Sequence, residues 1–411
     1  MPQEVVVVGG GVIGRTSALR LLSRGHSVTV LDSCDPTLPA SLGNAGHLAI
    51  EQTAPLASWS TLRSLPRLVM SANAAISLPL NEIRTWLPWG VRLIRASGRA
   101  RFTAGRELLR TLLQEAIPAW RSLLTLANAP DLLVAAGHLV LAESKATQQA
   151  LIAGLRAEPP GPARWAILDA ARMQSLAARF RAPLVGGVEY SNTGQITDLS
   201  RMMQALTEAI LAQGGRILED QAIAVLPEAT GVRVTTRGRP ALHAQLALIA
   251  AGVRSGDLLR PLGVATPLIA ERGYHLEADA PPGPSAPPVV FADRSVVFTR
   301  FERAVRVTSF TEFTRADAAA NPKLWLQLER HVSELGLPFS GGMRRWLGSR
   351  PTLPDYLPAI GRLARWPQIA YAFGHQHLGL TLAARTAEIV AEMLEQTPAP
   401  PLAGFHIERF A

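Results

Sequence analysis

EVVVVGGGVIGRTSALRLLSRGHSVTVLD, residues 4–32, constrains the fold more than any other stretch of the chain. Val5 to Val8 form an unbroken apolar run, as a parallel strand covered on both faces requires. Gly9, Gly11 and Gly14 follow in G-x-G-x-x-G spacing, with Gly10, Val12 and Ile13 completing the turn. The three spaced glycines serve a tight turn, close approach of backbone to a pyrophosphate, and close packing of helix on strand. The pattern predicts a helix from about Val12 to Ser23 whose N-terminal N–H groups aim at phosphates. SVTVLD is the second strand, and Asp32 at its end, followed by Ser33, is placed to accept hydrogen bonds from a ribose. A glycine-rich turn alone is an ordinary βαβ feature. With the strand before it, the helix after it and an acid 18 residues beyond Gly14, it predicts a dinucleotide site. The acid disfavours a phosphorylated ribose, so NADP is disfavoured, while NAD and FAD both stay open.

With 411 residues the chain can form one large domain or two interleaved ones. A hydrophobic content of 48% against 18% charged residues excludes a disordered chain. The single cysteine, Cys34, excludes a disulfide framework and fits a reducing compartment. No cleavable leader and no uncharged apolar run of about 18 residues is recognisable, so a cytoplasmic location is expected. The formal charge is +9, and Lys145 and Lys323 are the only lysines. Such a charge suits nucleic acid, an anionic membrane surface or an acidic substrate, and arginine-rich coding gives the same excess. No aromatic-interleaved basic cluster is present, so no nucleic-acid partner is expected.

From 54 to 94 runs an apolar stretch with Trp59, Trp86 and Trp89, carrying Arg63, Arg67, Arg84 and Arg92 against Glu82. Tryptophan and arginine among aliphatics suit a peripheral contact with a membrane, on the inner face of the inner membrane of a bacterium. A helical cap over an active site fits the same pattern. Residues 101–127 read as an amphipathic helix and 137–144 as a strand; Asp198 is the expected cap of a helix that Gly214 and Gly215 end. Residues 265–313 alternate as an antiparallel sheet does, 321–338 read as helix, and AAG at 250–252 is a second close-approach turn. Near the end, GSRPTLPDYLPAIG places Arg350 before three prolines, and GHQHLGLT opens a final helix. There is no second G-x-G-x-x-G and hence no sign of a separate nicotinamide domain.

Taken together, GGGVIG with Asp32, SLGNAGH, LIAAGVRS, ERGYHL, GSRPTLPDYLPAIG and GHQHLGLT resemble, in order, the FAD-dependent D-amino acid oxidase superfamily. Within it the chain looks most like the bacterial D-amino acid dehydrogenases. The resemblance implies an α/β fold: a Rossmann-like FAD-binding domain of the GR2/DAO type interleaved with an α+β substrate domain built on an antiparallel sheet. The expected FAD-binding parts are 1–52, 186–262 and 344–411, and the substrate or cap parts 53–185 and 263–343. It implies FAD, with Gly9, Gly11 and Gly14 at the pyrophosphate and Asp32 at the ribose. Ser41, Asn44, Ala45, Gly46 and His47 would lie along the flavin side, and Ala222 at the adenine. Ala251, Gly252, Gly374, Leu378, Gly379, Leu380 and Thr381 would approach the cofactor, with Arg350 and His377 at its reactive end.

Arg350 is implied to bind a substrate carboxylate at two points, which a planar guanidinium does and lysine cannot. Pairing with Asp355 or with a loop carbonyl is its structural alternative. His377 stands where glycine oxidases of the superfamily carry a second arginine, and it would hydrogen-bond substrate or accept its proton. His375 either joins it or only holds the loop, and Tyr274 is either an aromatic substrate contact or a packing residue. The implied reaction oxidises the CH–NH bond of a D-amino acid or cyclic imino acid of the D-proline or hydroxy-D-proline type. Hydride passes to flavin N5, and electrons go on to a quinone or other acceptor. A glycine- or sarcosine-type oxidase using O2, or the flavin subunit of a larger complex, are the alternatives. No metal is expected.

Overall fold

The computed structural model describes residues 2–33, 40–59, 61, 69, 75–339, 341–395 and 403–411. Cys34, Arg63 and Arg67 lie outside the described residues. The N-terminal valines form the strand Glu4–Val8 inside a six-stranded sheet. Its order is Arg216–Glu219, Ser27–Asp32, Glu4–Val8, Leu246–Ile249, Ile369–Phe373 and Ala359–Arg362. All pairings are parallel except the last.

Both faces of this sheet are covered, which is why the valine run is unbroken. Val5 and Val7 pack into a core shared with the helices Val12–Ser23, Leu199–Ala212 and Gly379–Leu394. Val6 and Val8 pack instead with Val225, Val232 and Val234 of a three-stranded sheet on the other side. Burial of each valine side chain stabilises the fold by roughly 1.5–3 kcal/mol. Four parallel strands thus end at one edge, where Gly9, Asp32, Ala250 and Gly374 emerge together. The crevice beyond the carboxyl ends is where open α/β sheets take ligands.

A nine-stranded sheet forms the second layer, centred on Ile269–Asp279 and Ala304–Thr314. It is mostly antiparallel, but Ala286–Phe291 pairs parallel with His138–Ala142, and Ala304–Thr314 parallel with Ile76–Ser77. Two strands expected on the nucleotide side, Gly186–Tyr190 and Arg344–Thr352, belong to this sheet. Arg344–Thr352 is held there by nine consecutive pairs with Ile269–Asp279, Glu271 opposite Arg350 among them.

Asp198 caps the helix Leu199–Ala212, accepting from the Arg201 amide at 2.9 Å. The helix expected over 101–127 is two, Arg99–Gln114 and Ala116–Leu126. Pro118 explains the break, because it has no N–H to offer the Gln114 carbonyl. In the stretch 54–94, Trp89 is buried, stacked on Phe313 with ring centroids 5.0 Å apart. It donates to the Thr352 carbonyl at 3.3 Å, so it is a packing residue and not an interfacial one. The helix Ile83–Ala96 has an exposed apolar row, Ile83, Leu87, Val91 and Ile94, with Arg84, Arg92 and Arg95 beside it. No helix among the described residues is long and apolar enough to cross a membrane.

Buried histidines make stability pH-dependent. Burial, reinforced by Arg294, lowers His331 to about 4, and burial lowers His375 to about 3. Below an ordinary histidine pKa the unfolded chain takes up protons that the folded chain refuses, so stability falls as pH falls towards those values. Each such group steepens the fall by at most about 1.4 kcal/mol per pH unit. Calorimetry from about pH 7 to about pH 5 should show a falling Tm, with a shallower slope in His331→Gln. An unchanged slope in that variant would contradict the assignment.

Candidate active site

The glycine turn after Glu4–Val8 leaves no room for side chains. A Cβ on Gly9 would lie 2.4 Å from the Ala250 carbonyl oxygen, and one on Gly14 only 1.8 Å from the Gly9 oxygen. Gly9 also has φ of 113°, a conformation that favours glycine. Gly11 caps the helix Val12–Ser23 without side-chain help, and the Ser41 hydroxyl accepts from the Val12 amide at 3.0 Å. Arg15 fastens this turn: its Nε donates to the Gly10 carbonyl at 2.7 Å and its Nη2 lies 3.4 Å from Asp32 Oδ2. Asp32 closes the strand Ser27–Asp32 with Ser33 next to it, and Ala222 begins the neighbouring three-stranded sheet. Ala251 and Gly252 follow the strand Leu246–Ile249, and a Cβ on Gly252 would meet nothing within 4 Å, so this backbone faces open space. Helix N–H groups, bare glycine backbone and a strand-end carboxylate on one edge are the donor set that an extended dinucleotide needs. FAD fits these residues.

The loop Ser41 to Gly46 is held by the second sheet through its carbonyl oxygens. Arg306 donates to the Leu42 carbonyl at 2.9 Å and also to that of Asn44. Thr299 donates to the Ala45 carbonyl at 2.9 Å, and His275 Nδ1 lies 3.2 Å from the Gly43 oxygen. Asn44 Oδ1 accepts from the Gly46 amide at 2.9 Å and shapes the end of the loop. The helix Gly379–Leu394 approaches the same region: Thr381 accepts from the Ala49 amide at 3.0 Å, and Trp120 donates to the Leu380 carbonyl at 2.8 Å. Leu378 and Gly379 stand at the helix start, after Gly374, whose φ is 79°.

Arg350 does not pair with Asp355, which is taken by Arg409 at 2.7 Å. Its guanidinium lies against Gly273, where a Cβ would come within 2.4 Å of Nη2. Among the described residues its side-chain partner is Glu271, with Nη1 to Oε1 at 3.3 Å. Glu271 is itself immobilised, for Thr352 donates to its other oxygen at 2.9 Å and the Tyr356 phenol sits against it. Burial, and then the Glu271 charge, push the Tyr356 hydroxyl well above its ordinary range. One guanidinium edge is thus fixed by an internal acid, and the remaining N–H donors stay available.

His377 meets Gln52 through Nε2. It keeps some accessible surface. Burial lowers it to about 4, with Glu271 and Glu51 opposing and Arg350 reinforcing. The imidazole is therefore neutral near pH 7, able to exchange a hydrogen bond but a weak proton acceptor. His375 is elsewhere: buried, with Nε2 3.0 Å from the Thr386 hydroxyl, it ties the turn to the last helix.

Tyr274 also leaves the expected group. Alternation along Ile269–Asp279 puts it on the face opposite Glu271. There its hydroxyl donates to Glu312 at 2.7 Å and accepts from the Asn321 amide at 2.9 Å, and burial raises it to about 12. Tyr356, with Glu271, takes the place beside Arg350. His47 turns away from the turn before it: its Nε2 lies 3.0 Å from Glu51 and its ring centroid 4.3 Å from that of His138. Glu271 and Tyr356 lie inside ERGYHL and GSRPTLPDYLPAIG, but that they meet beside Arg350 has no local sign, because the two motifs are distant in sequence.

The family of FAD dependent oxidoreductases (DAO) matches residues 4–393. A D-amino-acid oxidase of Bradyrhizobium diazoefficiens is 30% identical over the full length of both chains. Among solved structures, iminodiacetate oxidase from Chelativorans sp. BNC1 superposes with a TM-score of 0.73 at 16% identity, covering 98% of each chain. Glycine oxidase from Geobacillus kaustophilus gives 0.72 at 18% identity, covering 99% of this chain and 98% of that one. L-proline dehydrogenase from P. horikoshii gives 0.71 at 16%, covering 100% and 98%. These structures share the fold. With the nucleotide cradle fitting FAD and the family matched across almost its whole length, the chain belongs to the FAD dependent oxidoreductase (DAO) family.

Proposed function

We propose that this enzyme oxidises the CH–NH bond of a D-amino acid or cyclic imino acid, of the D-proline or hydroxy-D-proline type. The observation that carries the reading is Arg350: a guanidinium lying against Gly273, steadied on one side by buried Glu271, with donors left for a planar anion. The prolines that follow it limit the loop, so little ordering remains when substrate arrives. Two-point contact with the substrate carboxylate would set the α-carbon, and neutral His377, hydrogen-bonded to Gln52, is assigned to the amine side. Bound FAD supplies the two-electron acceptor at its N5. With the carboxylate held by Arg350, the α-hydrogen would be presented to the bound cofactor, and no side-chain base would be obligatory.

The full-length relative named an oxidase supports a second reading, in which O2 is the acceptor. A quinone in an anionic membrane is the acceptor we favour, on the exposed row Ile83, Leu87, Val91 and Ile94 beside Arg84, Arg92 and Arg95. Such a helix lies in the interface plane, and each arginine adds about 1 kcal/mol at an anionic surface.

The purified flavoprotein, kept anaerobic, should lose its flavin absorbance with D-proline or another D-amino acid and not with the L-isomers. Bleaching by L-isomers, or by none, would refute the substrate reading, and rapid peroxide formation on admitting air would select the oxidase. Flotation with phosphatidylglycerol vesicles should carry the protein upward, and the pair Leu87→Asp with Val91→Asp should abolish it. No flotation of the unaltered protein would end the membrane reading.

A further inference from the structure

We propose that His47, Glu51 and His138 form a binding site for a divalent transition-metal ion of the zinc class, joining the flavin-side segment to the substrate sheet. The inference is independent of the reaction assigned above. The three side chains come from distant parts of the chain, and their ligand atoms all lie within 4.8 Å of one another. Glu51 Oε1 is 3.0 Å from His47 Nε2 and 3.9 Å from His138 Nε2. Ligands around a tetrahedral zinc ion at ordinary bond lengths are spaced by about 3.3 Å, between those two distances.

Protein contacts leave this group incompletely satisfied. Glu51 Oε2 and His47 Nδ1 are buried without a hydrogen-bond partner. His138 is buried, and its Nε2 points to Glu51 at a distance too long for a hydrogen bond. A carboxylate and two imidazoles withdrawn from water with so few bonds are costly, and a cation bridging Glu51 Oε1 and the two Nε2 atoms would pair the buried carboxylate charge and give His138 Nε2 a partner. The surroundings hold the ligands in place. His138 Nδ1 lies 2.9 Å from the Thr193 hydroxyl, the outer contact that commonly orients a metal-bound imidazole. The His138 ring stacks on Tyr190, centroids 4.4 Å apart and planes 7° apart.

Backbone pairing fixes both histidines, His47 opposite Gln195 and His138 opposite Tyr190. Neutral imidazoles and an ionised carboxylate are the forms a metal binds. Two nitrogens and one oxygen with one open position match zinc, while magnesium and calcium prefer all-oxygen sites. Gln52, next along the chain, contacts His377, so an ion here would brace the segment that lines the pocket.

The test uses the full-length flavoprotein, incubated with Zn2+ and freed of unbound metal on a desalting column, with zinc measured by mass spectrometry. About one equivalent should remain, and Glu51→Gln together with His138→Gln should retain at least about tenfold less. His243→Ala, which removes the exposed His243–Glu228 pair, should retain as much as the unaltered protein. Zinc should raise the Tm of the unaltered protein and leave that of the double variant unchanged. Flavin content and Tm report whether each variant folds, and if the pair does not, His47→Gln gives the same comparison. Loss of all zinc from the unaltered protein on desalting would overturn the site, as would equal retention by a folded ligand variant.

Discussion

A carboxylate buried beneath an arginine, Glu271 under Arg350, fixes the geometry on which the proposed substrate contact depends. Glu271 is 2% exposed, and removing such a charge from water costs several kcal/mol unless its oxygens are satisfied. Here Arg350, Thr352 and Tyr356 satisfy them. Three segments are tied to one anion: the strand Ile269–Asp279, the strand Arg344–Thr352 and the turn that follows it. Trp89 adds a fourth through the Thr352 carbonyl. Because Glu271 cannot move without breaking all of these, the direction of the Arg350 guanidinium is determined before substrate arrives. That is preorganisation, and it lowers the ordering needed on binding.

The two sheets depend on each other at the loop between Ser41 and Gly46. The nucleotide layer contributes the loop, and the substrate layer contributes Arg306, Thr299 and His275 to hold its carbonyl oxygens. The loop expected on the flavin side is thereby held by both layers, although the glycine turn belongs to one. The chain crosses between layers several times, and Gly186–Tyr190 and Arg344–Thr352 sit in the substrate sheet because their hydrogen-bonding partners are there.

What could be read from sequence was what local chemistry determines. The valine run, the glycine spacing, Asp32 and the Asp198 cap each follow from short-range backbone requirements, and the structure has them. The arginine loop was also legible, since prolines around one cation are unusual. Partner choice was not. Arg350 and Glu271 are 79 residues apart, and although Glu271 opens the ERGYHL motif, nothing local pairs it with the arginine loop. Tyr274 was the aromatic candidate, but Ile269–Asp279 is buried on both faces, so burial gave no sign of which way Tyr274 points. His47 and His138 likewise meet only because two strands from different regions bring them together.

The central claim is that Arg350 recognises a carboxylate. Its most direct test is the anaerobic reduction of the bound flavin by a D-amino acid and by the carboxamide of that acid, which has the same shape and no charge. In the unaltered enzyme the acid should half-saturate at a concentration about 10- to 100-fold lower than the amide, the range expected for hydrogen bonds to a charged group. Arg350→Ala should abolish that difference while retaining flavin. Equal half-saturation by acid and amide in the unaltered enzyme would contradict the account.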